Sequence, residues 1–206
     1  MNLPSPPLLV ISDRSQARRP LVEIADAAFR GGCRWFSLRE KDLPTAERRA
    51  LLRALVALGQ RFGATVTAHE DLASVVAVGA DGVHLPGGGD PQAARRQLPS
   101  GLIGVSAHDA EDAAAQVAAG ADYVTLSPIF LTASKPGYGP AVGLEALAVS
   151  ARLARGPVIA LGGIDEANAA DCLAAGAAGI AVMGEIMRAA EPEETVRRLL
   201  AAIEKK

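Results

Sequence analysis

Four times along the chain a small-residue triplet closes a helix-like run and opens a short apolar one. The triplets are Gly31-Gly32-Cys33, Gly79-Ala80-Asp81, Gly120-Ala121-Asp122 and Gly176-Ala177-Ala178. A glycine there can end a helix in the left-handed conformation, and the tight turn hands the chain straight to a strand. Few architectures accept this punctuation so often. The short runs are apolar at successive positions, so both faces of each strand are buried, as in a parallel sheet. Strands that alternate with helices imply right-handed crossovers between parallel neighbours.

The pattern predicts strands at 8–12, 35–38, 65–68, 82–85, 102–105, 123–126, 158–161 and 179–182. Helices are predicted at 20–30, 45–62, 72–78, 91–97, 110–119, 144–153, 166–175 and 194–203. In the second helix Leu51, Leu52, Leu55, Val56 and Leu58 recur at three- and four-residue spacing. Eight strand–helix units in 206 residues fit one α/β domain over 1–206, a closed (β/α)8 TIM barrel near the short end of its size range. An open doubly wound sheet would want a glycine-rich loop after its first strand, and Leu8 to Pro20 contains no glycine.

Composition narrows the function classes. The chain is 50% hydrophobic and 21% charged, enough for a buried core and against disorder. Aromatic residues are 3%, and the net charge is −2, so neither a stacking surface nor a basic footprint for nucleic acid is expected. No uncharged stretch reaches the ~18 residues of a membrane helix. Residues 1–7 lack a basic region followed by an apolar block, so no secretory signal is expected. Cys33 and Cys172 make neither a metal spacing nor a disulfide framework and read as buried reduced thiols. The expectation is a cytoplasmic protein with no membrane or nucleic-acid partner; homo-oligomerisation stays open.

Barrels of this kind place their chemistry at the C-terminal ends of the strands. The polar residues there include Asp13 and Arg14, then Arg39, Glu40 and Lys41, then His69, Glu70 and Asp71. His84 and Asp90 follow, then Ser106 and His108, Ser127, Thr132, Ser134 and Lys135, and finally Glu185. Ser37, Arg39 and Lys41 share strand parity and so project together, which suggests an anionic ligand; three solvated charges are the competing reading. Gly162 and Gly163 after the seventh strand, with Met183, Gly184 and a short apolar turn at 186–189 after the eighth, suit a phosphate held by backbone N–H groups. Ordinary turn chemistry is the alternative. The loop from Pro128 to Pro140 is long for a compact domain and reads as a lid or clamp, or as a plain surface loop. His108 shares parity with Ser106 and is the candidate general acid–base; His84, next to apolar Leu85, reads as structural. No histidine pair has zinc-ligand spacing.

Several motifs occur in a fixed order: Leu38-Arg39-Glu40-Lys41, Gly79-Ala80-Asp81-Gly82-Val83-His84-Leu85 and Gly104-Val105-Ser106-Ala107-His108 come first. Ser127-Pro128-Ile129-Phe130, Thr132-Ala133-Ser134-Lys135, Gly162-Gly163-Ile164 and Gly179-Ile180-Ala181-Val182-Met183 follow. The ordered set resembles the thiamine phosphate synthase/TenI family of thiamine-biosynthesis barrels over nearly the whole chain. The resemblance implies a phosphorylated small-molecule substrate, with Arg39, Lys41, His69, Ser106, Thr132, Ser134 and Lys135 around it. It also implies two activities. Synthases join hydroxymethylpyrimidine diphosphate to thiazole phosphate and release diphosphate with Mg2+; TenI-type enzymes aromatise a thiazole phosphate carboxylate by moving a proton, with no cofactor. Synthases carry Asn-Asp where this chain has His69-Glu70, Gln where it has Ser37, and a Gly-Gln-x-Asp run where it has Pro86-Gly87-Gly88-Gly89 with Asp90 one place late. Those departures favour the TenI-type thiazole tautomerase, with His108 as proton shuttle. The alternative is thiamine phosphate synthase, with Glu70 and Asp90 as magnesium ligands. A non-catalytic binder or regulator of the same pathway is the third reading.

Overall fold

The computed structural model describes residues 2–132 and 140–204. Eight parallel strands close into a barrel in sequence order, and β1 (Leu8–Ile11) pairs with β8 (Gly179–Val182) to shut it. Between them lie β2 (Trp35–Leu38), β3 (Thr65–His69), β4 (Gly82–Leu85), β5 (Leu102–Ala107), β6 (Tyr123–Leu126) and β7 (Val158–Leu161). The helices are α1 (Leu21–Arg30), α2 (Thr45–Arg61), α3 (Leu72–Val78), α4 (Pro91–Gln97), α5 (Ala110–Ala118), α6 (Gly143–Ala154), α7 (Ala169–Ala174), α8 (Gly184–Met187) and α9 (Pro192–Glu204). No helix among the described residues is long and apolar enough to cross a membrane.

The repeated triplets act as turns, with one correction. Gly79, Gly120 and Gly176 have positive φ, but in the first triplet the positive φ (107°) belongs to Gly32, while Gly31 stays helical at −67°. Gly31 is needed for another reason: an added Cβ would sit 2.6 Å from the Glu193 carbonyl oxygen on α9.

Two cores divide the labour. Between strands and helices, side chains such as Phe29, Phe36, Leu52, Leu55, Val105 and Leu147 are fully buried. Each such side chain contributes roughly 1.5–3 kcal/mol. Inside the barrel, Leu9, Ile11, Trp35, Leu102, Tyr123, Ile159 and Ala181 form a separate cluster at the lower level. Trp35 and Tyr123 meet edge to face, with ring centroids 4.8 Å apart at 80°. Gly104 makes room for this plug: a Cβ there would lie 2.1 Å from the Tyr123 ring.

One residue pair higher along the strands the interior turns polar. Ser37, Thr67, His84 and Thr125 are buried there. Thr67 Oγ1 donates to Ser37 Oγ at 2.8 Å. The barrel is thus sealed below by aromatic rings and floored above by hydrogen-bonded hydroxyls and an imidazole.

Some predicted boundaries shift. β1 ends at Ile11 rather than Ser12, and β5 runs on to Ala107, which draws Ser106 into the ladder opposite Thr125. The seventh helix starts at Ala169, not Glu166. Asp165 N donates to Asn168 Oδ1 and Ala167 N to Asp165 Oδ1, a side-chain-held turn that occupies those residues first. The apolar turn expected at 186–189 is α8, beginning two residues earlier at Gly184.

Candidate active site

The strand ends build a mouth with two differently built sides. On one, β2 runs out into Arg39, Glu40 and Lys41. Ser37, expected to project with the two cations, is instead wholly buried in the polar floor, because it lies one strand step below the rim. Arg39 is half-buried and Lys41 exposed. The Lys41 ammonium pairs with the Glu70 carboxylate at the end of β3. Glu70 adopts φ 61° while its N–H donates to the His84 carbonyl at 2.9 Å. A non-glycine residue in that conformation is strained, and such strain concentrates at functional sites. Arg14, after β1, pairs with Asp42 and lies 3.7 Å from Glu40.

The other side is a cavity of about 240 Å³ over β6, β7 and β8. Ser127, Thr132, Gly162, Gly163, Met183 and Gly184 line it. This brings together the four predicted phosphate residues and one predicted rim residue. Gly162 and Gly163 have φ of 103° and 66°, and a Cβ on Gly163 would lie 2.5 Å from the Leu131 carbonyl oxygen. Only glycine fits there, because a side chain would run into the loop after β6. The loop after β6 is stitched to this edge: Ile129 N donates to the Leu161 carbonyl and Phe130 N to the Gly162 carbonyl. Met183 precedes α8, and its sulfur receives a 3.8 Å contact from Gln16 Nε2 of the β1 loop.

Between the two sides sits the histidine floor. His84 places Nδ1 3.1 Å from Tyr123 Oη and Nε2 3.0 Å from Ser106 Oγ. Burial, reinforced by the Lys41 and Arg39 charges, pushes its pKa down to about 3, so the ring is neutral. The His69 ring packs on it, centroids 4.5 Å apart. His108 is exposed at the mouth, with Nδ1 3.2 Å from the Ser127 carbonyl oxygen. Ser134 and Lys135 lie outside the described residues.

Sequence reasoning missed two residues that line this cavity, Asp165 and Arg188, and gave no role to a third, Glu185. Arg188 stands one helical turn beyond Gly184, so recognising 184–187 as helical, not a turn, would have placed it. Burial and neighbouring Asp165 raise the Glu185 pKa.

A family model described as thiamine monophosphate synthase matches residues 8–186. The chain belongs to the thiamine monophosphate synthase family. Among relatives of this family member, "Putative thiamine-phosphate synthase" of Geobacter sulfurreducens is 47% identical over 95% of this chain and 93% of its own length. Thiamine-phosphate synthase of Roseiflexus sp. is 40% identical over 94% of this chain and 84% of its own. A solved structure of thiamine phosphate pyrophosphorylase from Pyrococcus furiosus superimposes with a TM-score of 0.87 at 31% identity, covering 96% of this chain and 95% of that one. The fold of this family member is therefore that of a synthase barrel.

The magnesium implied by the family has two carboxylates to consider. Glu70 is engaged by Lys41, and Asp90 caps α4 by accepting from Ala93 N at 2.9 Å. Among the described residues no three His, Cys, Asp or Glu side chains come together as a metal group. Magnesium needs six oxygens in tight octahedral array, so these donors do not fit a site built by the protein alone.

Proposed function

We propose that the protein is a thiamine phosphate synthase. The observation that supports this reading is the division of the mouth into two sides: at β1 and β2, Arg14, Arg39 and Lys41 gather among the carboxylates of Glu40, Asp42 and Glu70, and at β6 to β8 lies a glycine-lined cavity. A reaction between two phosphorylated substrates needs both sides. A thiazole tautomerase, favoured by the sequence departures at His69-Glu70 and Asp90, anchors one phosphate and one carboxylate but no diphosphate. The names of the relatives lean the same way.

In this reading the thiazole phosphate sits with its phosphoryl group against the Gly162, Gly163 and Gly184 amides. The pyrimidine diphosphate lies over the His84 floor, with its diphosphate toward Arg39 and Lys41. The thiazole nitrogen supplies the electron pair of the new C–N bond, and the C–O bond to diphosphate breaks with its electrons leaving on oxygen. Arg39 and Lys41 meet the charge that grows on that oxygen, the kind of preorganised electrostatics that carries most of the rate in such transfers. Neutral His84 cannot repel a cationic pyrimidine methylene as the bond breaks.

The test is to incubate purified protein with hydroxymethylpyrimidine diphosphate and thiazole phosphate, with and without magnesium, and to follow diphosphate and thiamine phosphate together. Equal amounts of both products are expected. In a parallel incubation with thiazole phosphate carboxylate, aromatisation there with no diphosphate released in the first mixture would replace the reading with the tautomerase.

A further inference from the structure

Glu40 is a carboxylate that the proposed chemistry does not use, and it is 3% exposed although it stands between two cations at the rim. Its side chain reaches back to β1. Oε1 accepts from Ser12 Oγ at 2.6 Å and from Arg14 N at 3.1 Å, and Oε2 lies 3.2 Å from the same amide. Ser12 is itself fully buried, and its Oγ accepts from Arg39 N at 2.8 Å. The chain of bonds therefore runs from the Arg14 amide through Glu40 and Ser12 to the Arg39 amide. Both strand ends are locked at the point where the rim cations leave the barrel. Burial, the largest influence, raises the Glu40 pKa even against the hydrogen bonds from Ser12 and Arg14. Burying a carboxylate is unfavourable. The ladder between β1 and β2 already joins the strands, so simple cohesion does not require it.

We propose that Glu40 is a positioning residue, whose buried carboxylate fixes the backbone from which Arg39 and Lys41 meet the diphosphate of the pyrimidine substrate. This rests on the synthase reading above. Cations that must meet a leaving group gain from being held in one place, because small misplacements of such groups weaken their effect steeply. Glu40 does not touch substrate; it acts through the two residues beside it.

The experiment compares wild type, Glu40→Gln, Glu40→Asp and Ser12→Ala. Calorimetry measures the affinity of each for inorganic diphosphate and for thiazole phosphate, and kinetics give kcat and both KM values. In Glu40→Gln, diphosphate affinity falls about tenfold or more and the KM for the pyrimidine diphosphate rises in step. Thiazole phosphate affinity stays within about twofold, because its cavity lies on the far strands. Glu40→Asp recovers part of the loss. Ser12→Ala, which keeps the carboxylate but removes its link to Arg39, shows the same selective loss at a smaller size and decides the matter if Glu40→Gln does not fold. Unchanged diphosphate affinity, or equal weakening of both ligands, overturns the inference. Turnover with diphosphate affinity untouched in Glu40→Gln sinks the inference and leaves the synthase standing. Absence of turnover in wild type overturns the synthase reading and, with it, the role given to Glu40, whatever the affinities.

Discussion

Tyr123 and His84 meet across the inside of the barrel, the phenol oxygen 3.1 Å from the imidazole Nδ1. The contact joins the aromatic plug to the polar floor, where burial, reinforced by the Lys41 and Arg39 charges, keeps the imidazole uncharged. Its folded pKa of about 3 lies below the ordinary value of 6.5. The unfolded chain therefore binds the proton more readily, and stability from neutral His84 is complete above about pH 6.5 and lost as pH falls toward 3. The slope from this group approaches about 1.4 kcal/mol per pH unit inside that window. Denaturant melts of wild type and His84→Gln across pH 4 to 8 check it: the variant is less stable at pH 8 and loses less on acidification.

Gly163 tolerates no side chain. Its φ of 66° and the 2.5 Å approach to the Leu131 carbonyl predict that Gly163→Ala costs roughly 1–3 kcal/mol of stability and displaces the loop after β6. Thiazole phosphate affinity should fall at least about tenfold, while inorganic diphosphate still binds the opposite rim. Calorimetry with both ligands, alongside chemical denaturation, measures the two effects separately.

The presence of His108 does not separate the two activities, but its substitution tests them. A synthase step needs no proton shuttle from it, so His108→Ala should keep diphosphate release within about tenfold of wild type. A fall of about 10²–10⁴-fold in aromatisation of thiazole phosphate carboxylate, with no diphosphate released by wild type, would be the signature of general acid–base work and would return the tautomerase to first place. Steady-state rates on both substrate sets distinguish these outcomes.

Glu185 lines the cavity over β6 to β8 with its pKa raised, first by burial and then by Asp165. In the proposed reading its negative charge, above that raised pKa, opposes the phosphoryl group of the thiazole. Glu185→Gln should tighten thiazole phosphate binding about threefold at pH 8, with a smaller gain at pH 5 where the wild-type carboxyl is partly protonated. Calorimetric titrations at the two pH values provide the comparison.

The barrel was legible in the sequence because parallel strands are buried on both faces. The runs 35–38, 82–85, 123–126, 158–161 and 179–182 stand out as apolar islands between glycines and charged residues, and the observed strands coincide with them. The start of α7 was not legible. The Asp165–Asn168 turn and a helical first turn look alike in sequence, and side-chain hydrogen bonding decides between them. The cavity glycines were readable from their place after the last two strands. The Ser12–Glu40 bond was not, since its partners are 28 residues apart and only strand register brings them together. One signal was present: an acid between two bases at a strand end, where a diphosphate site has no evident use for negative charge.

The edge-to-face pair of Trp35 and Tyr123 has a consequence for traffic through the enzyme. With the lower half of the barrel filled by these rings, a small molecule reaches the imidazole from the C-terminal ends of the strands. In the synthase reading, the substrate nearest the imidazole is then expected to bind before its partner, an order that product-inhibition kinetics would reveal.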